Sequence, residues 1–155
     1  MKRFLSVLLM FAIGMGILAG CDGGTIEELS APELGERIQQ TVSFQDMKQG
    51  DLEKLQKLYQ IEAEKVENFI LYTASSNVKA DELAVIKVKD ASDTENVKEK
   101  IQQRIEAQTI KLKDYRPEEY FLIEKHVLKT NGQFVLFAVS KEVDQIESVF
   151  DEALK

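Results

Sequence analysis

The chain is poor in the residues on which most recognisable chemistry is built. Its 155 residues hold one cysteine, one histidine, two prolines and no tryptophan. A lone cysteine excludes a disulfide framework. One cysteine and one histidine cannot supply a Cys/His zinc site. There is no glycine-rich phosphate loop and no Ser–His–Asp motif. Calcium would require acids alternating around a central glycine. The nearest stretch, "DASDTEN" at residues 90–96, lacks that glycine and reads as a loop leading into a helix. Glu27–Glu28 and Glu118–Glu119 are sequence neighbours, so their carboxylates do not converge on one point. The reading is therefore of a non-enzymatic protein with no catalytic residue, no metal and no cofactor.

Positive charge is also scarce. Twenty Lys and Arg face 27 Asp and Glu, a net charge of −7. Such a chain is repelled by nucleic-acid phosphates and anionic head groups, and nucleic acid is set aside as a partner. The apolar content of 44% is that of a folded protein rather than a disordered one.

What is present begins at the N-terminus. Lys2 and Arg3 precede "FLSVLLMFAIGMGIL", residues 4–18, which carries no charge. A run of about 15 residues suits a signal-peptide core and is short for a bilayer span of about 20. Leu18, Ala19 and Gly20 then lead into Cys21. "LAGC" is similar to the lipobox of bacterial lipoproteins. That resemblance implies a diacylglyceryl thioether on Cys21 and cleavage between Gly20 and Cys21, with Leu18 to Gly20 as the peptidase recognition residues. Several acyl chains on one residue anchor stably, where one chain alone does not. The expected organisation is a signal peptide at 1–20, a lipidated flexible tether at 21–29, and one extracytoplasmic domain at 30–155. The expected location is the outer face of the cell membrane. Loss of Lys2 and Arg3 leaves 18 basic residues against 27 acidic ones, a mature charge of −9. The nine-residue tether reaches about 30 Å at most.

The domain opens with Ser30 and Glu33 at capping-box spacing and Pro32 in the first turn. Leu34, Ile38 and Val42 recur every four residues and predict an amphipathic helix over 30–42. A second helix is expected over 51–59 from an Asp51 cap, with Leu52, Leu55 and Leu58 on one face. Residues 68–74 and 82–89 read as strands. In the latter, Leu83 and Val85 alternate with Ala84, Ile86 and Val88, so both faces are apolar and the strand is interior. A long helix is expected over 92–115, its stripe formed by Val97, Ile101, Ile105, Gln108, Leu112 and Tyr115. It ends before Arg116–Pro117.

Residues 120–140 read as a hairpin about a type I′ turn at Asn131–Gly132. That turn pairs Leu128 with Val135 and His126 with Phe137, and makes His126 a structural residue. A last helix covers 141–154. The expected fold is α+β in the order ααββαββα. It is a four-stranded, largely antiparallel sheet with helices packed on it in two layers.

"DYRPEEY", residues 114–120, places two tyrosines, an arginine and a proline in one connection. Tyr115, Arg116 and Tyr120 are the candidate partner contacts. Around it, "VKEKIQQRIEAQTIKLKDYRPEEY" (97–120), with "LYQIEAEKVENFILY" (58–72), "ADELAVIKVKD" (80–90) and "NGQFVLFAVS" (131–140), resembles a family of small bacterial lipoproteins. These are mainly from Gram-positive species and carry a domain of unknown function. Arg104 falls at the family's central helix arginine, and Tyr115 with Pro117 at its Tyr-x-Pro. The resemblance implies no catalytic residue. The functional expectation is a membrane-anchored lipoprotein acting by contact with an envelope protein. The alternative is a tethered module that binds a small molecule or peptide.

Overall fold

The computed structural model describes residues 28–155. Leu18, Ala19, Gly20 and Cys21 lie outside the described residues. Two caps start the first helices. In α1 (Ala31–Gln39), the Ser30 hydroxyl accepts from the Glu33 amide while the Glu33 carboxylate accepts from the Ser30 amide at 2.8 Å. This is the reciprocal box read from the sequence. The helix stops short of Val42, which is buried all the same. In α2 (Leu52–Tyr59), Asp51 accepts from the Lys54 amide at 2.9 Å. Its buried face is Leu55 and Tyr59, whereas Leu52 is exposed and Leu58 only partly buried. The expected Leu52–Leu55–Leu58 face is thus rotated, because Tyr59 fills the core.

The sheet has five antiparallel strands, not four, in the order β1-β2-β3-β5-β4. They are β1 (Met47–Gln49), β2 (Val66–Ala74), β3 (Glu82–Val88), β4 (Val127–Asn131) and β5 (Phe134–Val139). The added strand is β1, which pairs Met47 with Ala74 and Gln49 with Tyr72. Three residues are too few to display an alternating pattern. β3 lies at the centre, and each of its seven residues is buried.

Burial of both faces of β3 follows from helices on both sides of the sheet. On one side, α1 and α5 (Val143–Ala153) cover Ile70, Leu83, Val85 and Leu136. On the other, α2, α3 (Thr94–Leu112) and α4 (Pro117–Glu124) cover Leu71, Ala84, Ile86 and Phe137. The domain has three layers, not two. The terminal helices close the face that a two-layer arrangement would leave wet. Leu29, placed in the tether by the sequence reading, is buried on the α1 side.

Two further expectations are corrected around the hairpin. Residues 120–124 are helical, not extended: Pro117 starts α4 and the helix runs to Glu124. Pro at the first helical position costs no hydrogen bond and presets φ, so the proline that ends α3 also begins α4. The complete order is αβαββααββα. The hairpin turn is also shifted. Asn131 pairs with Phe134, so Gly132 and Gln133 form the loop. Gly132 has φ +56°, and Gln133 does not share the left-handed region. One left-handed glycine at the first loop position is the requirement of a type II′ turn, not of type I′. Leu128 therefore pairs with Phe137 instead of Val135. The pairing moves by two residues, so every side chain keeps its face.

The three-layer arrangement is testable on the two opposite faces of one strand. Leu83→Ala and Ile86→Ala should each cost roughly 2–5 kcal/mol in urea denaturation, because each deletes a fully buried side chain. A near-neutral result for Leu83→Ala would mean that the α1–α5 layer does not cover the sheet.

Candidate functional site

β3 opens on a buried acid. Glu82 is 2% exposed and faces the α2–α3 layer. Its Oε2 accepts from Arg104 Nη2 at 2.8 Å, and its Oε1 accepts from Arg104 Nε at 3.3 Å. The same Oε1 accepts from the Tyr59 hydroxyl at 2.6 Å. Burial, and then the Glu82 charge, push the Tyr59 hydroxyl well above the usual tyrosine range, so it stays a donor. The group is satisfied internally. It locks α2, β3 and α3 together and presents no reactive atom.

Beside it, at the end of the sheet where β2 and β5 finish and β3 starts, lies an open cleft of about 590 Å³. Its walls come from the loop before β1, the β2–β3 connection, α4 and the start of α5. The charged lining comprises Asp46, Lys79, Asp81, Glu119, Lys141 and Glu142, with Glu82 behind them. Phe44, Met47 and Leu122, each partly exposed, supply apolar surface. Glu119, on α4, is 5% exposed. It accepts from the Ala80 amide at 2.8 Å and pairs with Lys79 at 3.1 Å. Asp81 is half-buried and forms no salt bridge among the described residues. Burial first, and then the nearby Glu119 charge, raise its carboxyl above the usual aspartate range. Its own amide, Lys79 and Lys141 oppose that shift.

The partner-contact residues read from the sequence meet at the corner where α3 turns into α4. Tyr115 is 71% exposed, and Ile110 and Phe121 beside it in the chain are 80% and 53% exposed. Lys125 lies over the Phe121 ring at 4.3 Å. Arg116 is exposed and precedes α4. Tyr120 differs from Tyr115: it is half-buried, and its hydroxyl donates to Glu124 at 2.7 Å. That bond raises its pKa. Ile110 and Phe121 were absent from the sequence reading. A helical setting for 117–124 was the signal that would have exposed Phe121.

His126 lies just before β4. Its Nδ1 donates to the Ile123 carbonyl at 2.7 Å, and its ring meets Phe137 edge-on at 6.3 Å. It touches Phe137 without being its strand partner, a place that Leu128 takes. Among the described residues no three His, Cys, Asp or Glu side chains group as metal ligands.

The family of the domain of unknown function DUF4358 matches residues 40–140. The chain belongs to that family. The DUF4358 match runs from the end of α1 to the end of β5. It contains the whole sheet, Glu82 with both its partners, the α3–α4 corner and most of the cleft lining. Helices α1 and α5 lie outside it. No curated protein and no solved structure matches the chain.

Three variants test this geometry. Arg104→Met should destabilise the DUF4358 domain by about 3 kcal/mol or more, since it leaves the Glu82 carboxylate buried without its cation. Tyr59→Phe should cost about 1–2 kcal/mol by the same urea assay. Asp81→Asn should act in the opposite direction. The folded carboxyl titrates above its unfolded value, so ionised Asp81 opposes folding, and that cost is complete above the folded pKa. The variant should therefore melt higher than the parent at pH 7, with the gap closing as pH falls through the unfolded aspartate range. A lower melting temperature at pH 7 would contradict the assigned environment.

Proposed function

We propose that this chain is a lipoprotein, held at the outer face of the cell membrane through acylated Cys21 and acting by contact with an envelope protein. The observation that carries the contact is the exposure of three large apolar side chains, Ile110, Tyr115 and Phe121, on the segments either side of the α3–α4 turn. Aromatic residues and arginine are enriched at interfaces, and exposed Arg116 follows Tyr115 directly. Its place in the fold supports the same reading. The tether enters at Leu29, and the Ala31 amide donates to Asn68 near the start of β2. α3 begins at that end, where Lys65 pairs with Asp93. It runs 19 residues, about 28 Å, to the opposite end, where Lys111 donates to the Asn77 carbonyl. The corner thus points away from the tether. No helix among the described residues is long and apolar enough to cross a membrane.

A second reading, a tethered module that binds a small molecule or peptide, is favoured by the cleft. Its volume lies within the range of about 300–1,000 Å³ found for ligand sites.

Two experiments on the intact chain test the first reading. Labelled palmitate should enter the parent protein and not Cys21→Ala, and only the parent should sediment with membranes. A photo-crosslinking amino acid at Tyr115 should give a discrete adduct that Phe121→Ser weakens. Equal labelling of both chains would remove the anchor, and a silent Tyr115 probe would remove the contact.

A further inference from the structure

We propose that the sheet-end cleft binds a primary ammonium group carried by a peptide of the envelope, with Asp81 as its counter-ion. The proposal deepens the second reading above and rests on it. The cavity comes first. It sets the partly exposed apolar side chains of Phe44, Met47 and Leu122 among charged groups in one concave lining that can take up and orient a ligand.

Asp81 supplies the charge. The other two buried acids at this end are matched within the fold: Glu82 by Arg104 and Tyr59, Glu119 by Lys79 and the Ala80 amide. Asp81 is not matched in this way. It is half-buried, lines the cleft and forms no salt bridge among the described residues. The carboxylate is partly removed from water and lies near Glu119, and Lys79 and Lys141, which also line the cleft, offset only part of that cost. An ammonium donor would neutralise it with charge-assisted hydrogen bonds.

The source of the amine follows from position. Both a peptide and the head group of phosphatidylethanolamine carry a primary ammonium. The cleft lies at the Ala74 end of β2, whereas the tether enters beside Asn68. Six residues of strand separate them, about 20 Å. The opening therefore lies at the end of the sheet away from Leu29, beside α4, whose Glu119 and Leu122 line it. A peptide on the outward side is the source that fits.

The test uses the full-length chain in phosphatidylcholine nanodiscs, titrated calorimetrically with acetyl-Ala-Lys-Ala-amide. The same tripeptide acetylated on the lysine Nζ is the uncharged probe. The free amine should bind at least about tenfold more tightly than the acetylated form. Asp81→Asn should lose about that factor for the free amine alone. Glu64→Gln, an exposed acid outside the cleft, should change nothing. Circular dichroism and melting report whether each variant is folded. Equal affinity for the two tripeptides, no heat from the parent chain, or unchanged affinity in Asp81→Asn would each overturn the proposal. Nanodiscs containing phosphatidylethanolamine separate the sources. Unchanged tripeptide affinity supports the peptide, whereas competition by that lipid would overturn the peptide assignment. Association with the nanodisc is read independently by gel filtration, so a failed anchor is not mistaken for a failed cleft.

Discussion

The domain depends on how one buried carboxylate is matched away from water. Glu82 begins the central strand, where the backbone is committed on both sides by β2 and β5. An ion of that kind carries a desolvation penalty of several kcal/mol, and a partner must return it. Arg104 reaches from the middle of α3 with two nitrogens, and Tyr59 reaches from the last turn of α2. Each of those helices is thereby fixed in rotation as well as in distance. Apolar packing alone would let α3 slide along the sheet, since Val97, Ile101 and Ile105 are near equivalents in size and shape. A bidentate guanidinium has one satisfactory position. The corner and the cleft inherit their placement from it, because both lie on segments that follow or flank α3.

What could be read from the sequence was local. Ser30 with Glu33, and Asp51, announced helix starts because a cap is made by residues a few positions apart. The doubly apolar β3 announced that both of its faces would be covered. A strand apolar on both faces requires a helical layer on each side of the sheet, and α1 with α5 supplies the second one. Other features gave no local signal. "MKQ" has no period that marks a strand, and it pairs only because β2 offers an edge. In "PEEYFLIE" the run YFLI favours a strand, and the helix is imposed by Pro117 and by the packing of Ile123. In the hairpin, Asn131–Gly132 and Gly132–Gln133 were both available as turn centres, and the contacts of β5 with β3 chose between them.

The candidate sites divide along the same line. Tyr115 and Arg116 were legible because a Pro-containing connection beside a long helix is exposed on general grounds. The cleft was not legible. Asp46, Asp81 and Glu142 come from three separate connections and Glu119 from α4, and they converge only once the strands have paired. No spacing in the chain encodes such a set. Cys21 stands apart from both, since its reading rests on a short linear phrase.

The α1–α5 layer has a consequence for the order in which the molecule assembles. Its two helices are the first and last elements of the described chain, and they pack on each other as well as on the sheet. More than a hundred residues of sequence separate them, so their meeting is the contact of longest range in the domain. A chain emerging N-terminus first has α1 waiting, with Leu34 and Ile38 uncovered, until the final residues follow. The α2–α3–α4 side has no such delay, since its parts lie closer together in sequence. Folding should therefore proceed from one face of the sheet to the other, and a ribosome stalled before Val143 would leave a half-closed molecule with its second face open to any chaperone present.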